Sequence, residues 1–257
     1  MTLLEQQRRK IYLEEIFRRE VRRLFLRIAL EYRVGIATEK NIRAYRYKPE
    51  FVALLNNHYR RVQQSFRGIT DEKAQTEQDN DEVVAALMLW AEQNSTKSSE
   101  QMVTTTQDDM GLALQQARES LSNEGNNSYT QRELAVLAAV ILNRKSKGRE
   151  STIILTETQK PAESTKLVEA YDREGLDPVR AVTGGVVAAV VAMKKWHDVG
   201  DSKVRRGHHA GEVAPVRINE PFLVRGEMLM FPGDGSLGAS AGNIINCRCG
   251  TLYTFGG

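Results

Sequence analysis

Two cysteines and a histidine near the C-terminus are the residues best suited to chemistry. Cys247 and Cys249 are the two cysteines of a 257-residue chain, and three of its four histidines, His197, His208 and His209, lie in the same last sixty residues. On a strand, residues i and i+2 share a face, so the two thiols can turn together. With His208 they make three candidate ligands for a zinc-like ion, and His197 or His209 would complete a Cys2His2 set. A Cys–His pair is also the minimum for a thiol nucleophile, which needs a thiolate beside a base. A third reading needs no ligand. Small thiols pack well in a core, and Asn246 can tie a turn through its side chain. Arg205 or Arg248 can fork onto a carboxylate such as Asp201, Asp234 or Glu157, with His208 hydrogen-bonded into that network. This last reading is preferred and implies no resident cofactor, with zinc left open. It predicts melting that ignores a chelator, whereas a zinc site would forfeit folding energy on chelation.

The neighbourhood of these residues has an order of its own. Lys194-Lys195-Trp196 is followed by Gly200-Asp201-Ser202-Lys203-Val204-Arg205 and, after two residues, by His208. Then come Pro221 to Glu227 (P-F-L-V-R-G-E), Phe231-Pro232-Gly233-Asp234 and Asn246-Cys247-Arg248-Cys249. That order and spacing resemble the bacteriophage Mu F-like head morphogenesis (minor head protein) family. The match is clear after residue 190. It extends faintly back to about residue 100 through Thr104-Thr105, Glu124-Gly125 and Thr156-Glu157. The motif positions matched are Thr156, Glu157, Trp196, Asp201, Val204, Arg205, His208, Pro232, Gly233, Asp234, Asn246, Cys247, Arg248 and Cys249. The family's arginine before Thr-Glu is replaced here by Leu155.

The resemblance implies a minor head protein of a tailed phage, bound to the portal inside the procapsid and acting in head morphogenesis and genome packaging or delivery. Scaffold or major capsid protein are further partners it implies. The location would be the capsid interior, with the host cytoplasm during assembly. The family has been grouped with the ADP-ribosyltransferase fold, and related modules occur in toxins, so an enzyme or toxin-like module of that fold is the alternative. Such enzymes often use Glu-x-Glu, and no two glutamates here are spaced by one residue. Nor is there a Walker loop or a G-x-G-x-x-G. No enzymatic activity is expected.

The elements that must position these residues read as helices first and strands last, an α+β arrangement. Leu13, Phe17, Val21, Leu24 and Ile28 recur at helical steps, predicting a helix over 3–32 that ends at Val34-Gly35. Pro49 opens a second helix with Phe51, Leu55, His58/Tyr59, Val62 and Phe66 on one stripe, stopping near Gly68. His58 beside that stripe reads as a packed or surface residue. A polar linker over 71–81 precedes a short helix from Val83 to Trp90. The Ser/Thr-rich stretch Asn94 to Glu100 reads as the domain boundary. Helices follow near 107–122 and 129–147, with a turn at 123–127, and another begins at a Ser151 cap and runs to about Tyr171, broken or kinked at Pro161. Strands are predicted over 186–196, 216–218, 222–224, 228–231 and 248–253. This gives an elongated helical region, 1–98, that docks on a partner. A compact domain, 99–257, would then pack helices on a small, mainly antiparallel sheet.

Charge is segregated along the chain. Residues 1–67 carry 16 basic and 7 acidic side chains, residues 68–136 carry 4 and 13, and residues 137–257 carry 16 and 13. A basic first segment is a candidate for weak, non-specific contact with DNA phosphates, a DNA-binding accessory protein being a further alternative. The Lys194-Lys195 pair reads as a solvated strand end rather than a nucleic-acid contact. The longest apolar run, 181–193, is too short to cross a membrane and contains Gly184-Gly185, and the N-terminus does not read as a signal peptide. No membrane association is expected.

Overall fold

The computed structural model describes residues 3–68, 81–123, 129–184 and 190–256. Four long helices precede a small sheet region, as the α+β reading expects: α1 Leu3–Ala37, α2 Lys48–Phe66, α3 Asp81–Asn123 and α4 Gln131–Arg173. The short helix α5 (Arg180–Thr183) leads into β1 Met193–His197, β2 Val216–Arg217, β3 Phe222–Val224 and β4 Glu227–Leu229, then α6 Ala241–Ile244 and β5 Gly250–Thr254. Among the described residues no helix is long and apolar enough to cross a membrane.

The apolar stripes on α1 and α2 are buried where the periodicity places them. The end of α1 is different. The helix runs through Gly35, and the left-handed residue that closes it is Glu39, at φ 57°. Lys40 N donates to Gly35 O at 2.8 Å and Glu39 N to Ile36 O at 3.2 Å, the bond pair of a Schellman cap. Gly35 serves a close approach instead, since a Cβ there would sit 2.2 Å from Ile42 Cγ1.

The boundary expected at Asn94 to Glu100 lies inside α3. Ser99 is accommodated there because its hydroxyl returns to the helix's own carbonyl, Ser99 Oγ donating to Thr96 O at 2.7 Å, as Thr106 Oγ1 does to Met102 O at 2.6 Å further along α3. Ser95, Ser98 and Ser99 are also buried, so their small size suits packing. Likewise the two helices expected before and after Ser151 are one, α4, with Pro161 inside it. Its start is a capping box. Thr130 N donates to Glu133 Oε2 at 2.8 Å and Glu133 N to Thr130 Oγ1 at 3.2 Å. The expected linker at 71–81 lies almost wholly outside the described residues, as do Glu124-Gly125 and the first part of the strand expected over 186–196.

The chain forms two compact units, and neither follows a division at residue 98. One comprises Met1–Glu14, His58–Gln93 and Ile154–Gly257, and the other Glu15–Asn57 and Asn94–Ile153. Each draws on all four long helices, because their apolar faces can be buried only against one another. In the second unit Phe25 meets Phe51 edge-on at 5.9 Å, Tyr32 Oη donates to Met110 O at 2.6 Å, and Glu150 accepts from Arg22 at 2.7 Å and from Arg18 at 3.3 Å. In the first unit Leu13, Val62, Phe66 and Ala162 share one core cluster.

The sheet belongs to the first unit. β1 is central, antiparallel to both β2 and β5, and Trp196 pairs with Thr251. β3 and β4 form a separate hairpin turned at Arg225-Gly226, both at positive φ, as a tight two-residue hairpin turn requires.

Candidate functional site

β1 buries alternate side chains, Lys194 and Trp196, and exposes Lys195. Trp196 is fully enclosed, and the residues around it are arranged on its ring. That ring meets Phe222 edge-on at 5.3 Å and the His208 imidazole edge-on at 5.7 Å, and its Nε1–H donates to His208 O at 2.9 Å. Cys247 and Cys249 complete this core with Val213, Val224 and Leu229.

The two cysteines do not lie on a strand, as the sequence reading expected. β5 starts one residue after Cys249. The backbone just before it is satisfied by α4 side chains rather than by a ladder. Thr156 Oγ1 accepts from Asn246 N at 3.1 Å, and Gln159 Nε2 donates to Cys249 O. Asn246 takes positive φ, 56°. Arg248, between the thiols, turns outward into a two-pronged bond to Asp201, 2.7 Å on each prong. Arg248 holds the Asp201 carboxyl below its ordinary range.

His208, Cys247 and Cys249 come together, all buried, with one donor atom from each within 4.8 Å of the others. His208 Nδ1 lies 3.9 Å from Cys247 Sγ, and His208 Nε2 lies 3.0 Å from Asn243 Oδ1. Asn243 is itself held: its amide nitrogen donates to Glu227 Oε2 at 2.5 Å and to Val224 O at 3.2 Å. Glu227 also accepts from Ser240 N at 2.8 Å, and this bond leads the interactions that keep its carboxyl low. A hydrogen bond from Cys249, then the imidazole, pulls the Cys247 thiol down against its burial, and the same contact pushes Cys249 up. The pair therefore holds one negative charge more readily than two.

This arrangement can do three things chemically. It can remain a hydrogen-bonded core, it can ligate a cation, or it can present a thiol to an imidazole oriented by an amide, the order that thiol hydrolases use. Only 4% of Cys247 is exposed; it contributes to the wall of a cavity of about 380 Å³ that also includes Arg248, His197, Leu155, Gln159 and Lys166, and with His208 and Cys249 to a smaller crevice. In the wall of the larger cavity the buried Glu163 carboxylate accepts from Thr251 N at 2.9 Å and pairs with Lys166 at 2.7 Å and Lys10 at 3.2 Å.

The remaining expected residues fall into place individually. Arg205 donates to Gly242 O at 2.8 Å rather than to a carboxylate. Val204 flanks the cysteine segment. Pro232 and Gly233 form a buried turn, with Gly233 at φ 87°. Asp234 ties that turn by accepting from Met230 N at 2.9 Å and Ser236 N at 2.8 Å. Glu157 accepts from Tyr59 Oη and pairs with Lys160 at 2.8 Å. His209 faces Asp198 at 3.8 Å and joins no ligand cluster among the described residues, nor does His197. His58 is packed, 3.0 Å from Thr158 Oγ1, and burial lowers it to about 3. Thr104 and Thr105 are exposed on α3 in the other unit.

Lys194 corrects the sequence reading. It is neither a solvated strand end nor a nucleic-acid contact but fully buried, donating to Met230 O at 2.7 Å and lying 5.0 Å from the Phe222 ring centre. Alternation along β1 with the buried Trp196 was the available signal. Asn243 and Gln159 were missed altogether. Glu227 stood in the quoted Pro221 to Glu227 run without a role. Nothing local marks such residues, because their partners are distant in sequence. Comparison with protein-family models, with curated proteins and with solved structures finds no match for this chain.

Proposed function

We propose that the chain is a minor head protein of the Mu F-like kind, associated with a portal inside a procapsid and acting in head assembly and genome packaging or delivery. One observation carries the reading. The motif residues that resemble that family are spread over ninety positions of sequence, yet Thr156, Trp196, His208, Asn246, Cys247 and Cys249 are knit into one packed unit by direct contacts. Residues that resemble a family only by accident have no reason to be each other's partners.

The N-terminal helix offers the docking charge. Arg8, Arg23 and Arg33 are exposed on α1, and exposed cations suit an acidic protein surface. Removing residues 1–67 is a poor test, since it takes Leu13, Val62 and Phe66 out of a core shared with Ala162. The test is co-expression of the full chain with the portal and capsid proteins of its own phage or prophage, followed by purification of proheads. The chain should enter proheads, and the triple variant Arg8→Glu, Arg23→Glu, Arg33→Glu should fold but be depleted from them. A chain that never co-purifies with the portal or enters proheads would overturn the proposal. Turnover of a nicotinamide cofactor would favour the transferase-fold alternative. Retention on DNA that falls steeply with salt, about −0.9 in log–log slope per neutralised phosphate, without portal binding would favour the DNA-binding one.

A further inference from the structure

We propose that His208, Cys247 and Cys249 form a Cys2His binding site for a thiophilic divalent cation of the zinc type, with His208 ligating through Nδ1. The argument starts from an amide. Asn243 Nδ2 faces two groups that can only accept, Val224 O at 3.2 Å and Glu227 Oε2 at 2.5 Å. Reversing the amide would set its oxygen against both, so the orientation is decided by chemistry. Asn243 Oδ1 therefore faces His208 Nε2, at 3.0 Å. An amide oxygen accepts and never donates, so Nε2 carries the ring proton. The lone pair is then on Nδ1, directed at the Cys247 sulfur 3.9 Å away. An imidazole whose far nitrogen is anchored by a side-chain oxygen, with its near nitrogen bare and two sulfurs beside it, is the arrangement that metal-ligating histidines adopt.

The distances fit. A tetrahedral zinc with Zn–S near 2.3 Å and Zn–N near 2.0–2.1 Å needs its donor atoms about 3.5–3.8 Å apart. The three donors lie within 4.8 Å of one another and one pair is already at 3.9 Å, so closing on an ion asks for a shift of about 1 Å or less. The surroundings favour soft over hard cations: two sulfurs and one nitrogen, no carboxylate in the ligand group, and walls of Trp196, Phe222 and Val213. Local geometry holds the sulfurs in. Positive φ at Asn246 and the outward pull of Asp201 on Arg248 leave the flanking thiols pointing to the core. Three protein donors leave one tetrahedral position for a fourth, exogenous ligand, and His208, Cys247 and Cys249 all line one small crevice with Val204 and Asn246.

The test uses the full-length chain, purified under reducing conditions without chelator. Elemental analysis should give one zinc per chain. The metal-stripped protein, titrated with Co(II), should develop the near-ultraviolet thiolate-to-cobalt absorption and the intense visible bands of a tetrahedral ion, ending at one equivalent and displaced by zinc. Asn243→Leu, which frees the imidazole to rotate, should weaken zinc binding about 10–100-fold, and Cys249→Ser should reduce the sulfur-to-cobalt band. The proposal is overturned if the wild-type chain carries no stoichiometric metal and, stripped and reduced, gives no thiolate-to-cobalt band. A pale octahedral cobalt spectrum overturns it equally, as does a Cys247–Cys249 disulfide that takes up no metal after reduction.

Discussion

The hydroxyl of Thr156, in the middle of α4, accepts the backbone N–H of Asn246 at 3.1 Å, across 90 residues of sequence. It fixes the turn from which Cys247 and Cys249 enter the core. Gln159, three residues on, takes the Cys249 carbonyl, so one helix face sets the backbone on both sides of Arg248.

Removing that acceptor should be costly beyond its size. Thr156→Val keeps the shape but leaves a part-buried N–H without its partner, a loss of about 1–3 kcal/mol in urea denaturation. Thr156→Ser keeps the oxygen and should lose less than half as much. Equal losses for the two variants would show that the methyl group, not the hydrogen bond, matters.

Lys194 makes the fold sensitive to alkaline pH. Burial lowers its ammonium from 10.5 to about 7, with Asp234 and Glu220 opposing. Between those values the unfolded chain holds a proton that the folded chain has released. Stability therefore rises with pH across about 7 to 10.5 and is flat below, the steepest slope being about 1.4 kcal/mol per pH unit. Lys194→Met removes this contribution. The stability difference between wild type and variant, followed from pH 6 to 9.5, should change in that sense, and parallel profiles would contradict it.

Gly35 tests a helix propensity against a contact. In an open helix, Gly→Ala gains about 1 kcal/mol. Here the added methyl meets Ile42 Cγ1 at 2.2 Å and Lys40 O at 3.0 Å. The expected outcome is a net loss of about 1–3 kcal/mol from overpacking, read as a lowered melting temperature. The pair Gly35→Ala with Ile42→Ala should recover part of it.

Much of the fold was legible in the sequence because it rests on periodicity. The stripes from Leu13 to Ile28 and from Phe51 to Phe66 each belong to one helix and bury one face, so spacing alone reveals them. The strands expected over 222–224 and 228–231 appear as β3 and β4, the second at Glu227–Leu229, but their pairing as a hairpin was not read. Nor were the joins legible. Asn94 to Glu100 has the composition of a loop, yet Ser99 bonds back to a carbonyl of its own helix and Ser95, Ser98 and Ser99 are buried by packing. Pro161 reads as a break, yet the segments on either side of it are held as a single helix.

Residue types and their order by themselves determined the α+β class and the apolar faces of α1 and α2, and they singled out Trp196, His208, Cys247 and Cys249 as candidates. Tertiary structure decided what those residues touch. Which nitrogen of His208 bears the proton depends on Asn243, and the orientation of Asn243 depends on Val224 and Glu227. The backbone at Cys247 and Cys249 is held by Thr156 and Gln159 instead of by a strand ladder, and Lys194 is buried because β1 lies centrally in its sheet. Each is a bond between groups far apart along the chain. Periodicity carries no record of such bonds, since their geometry exists only once the elements have packed.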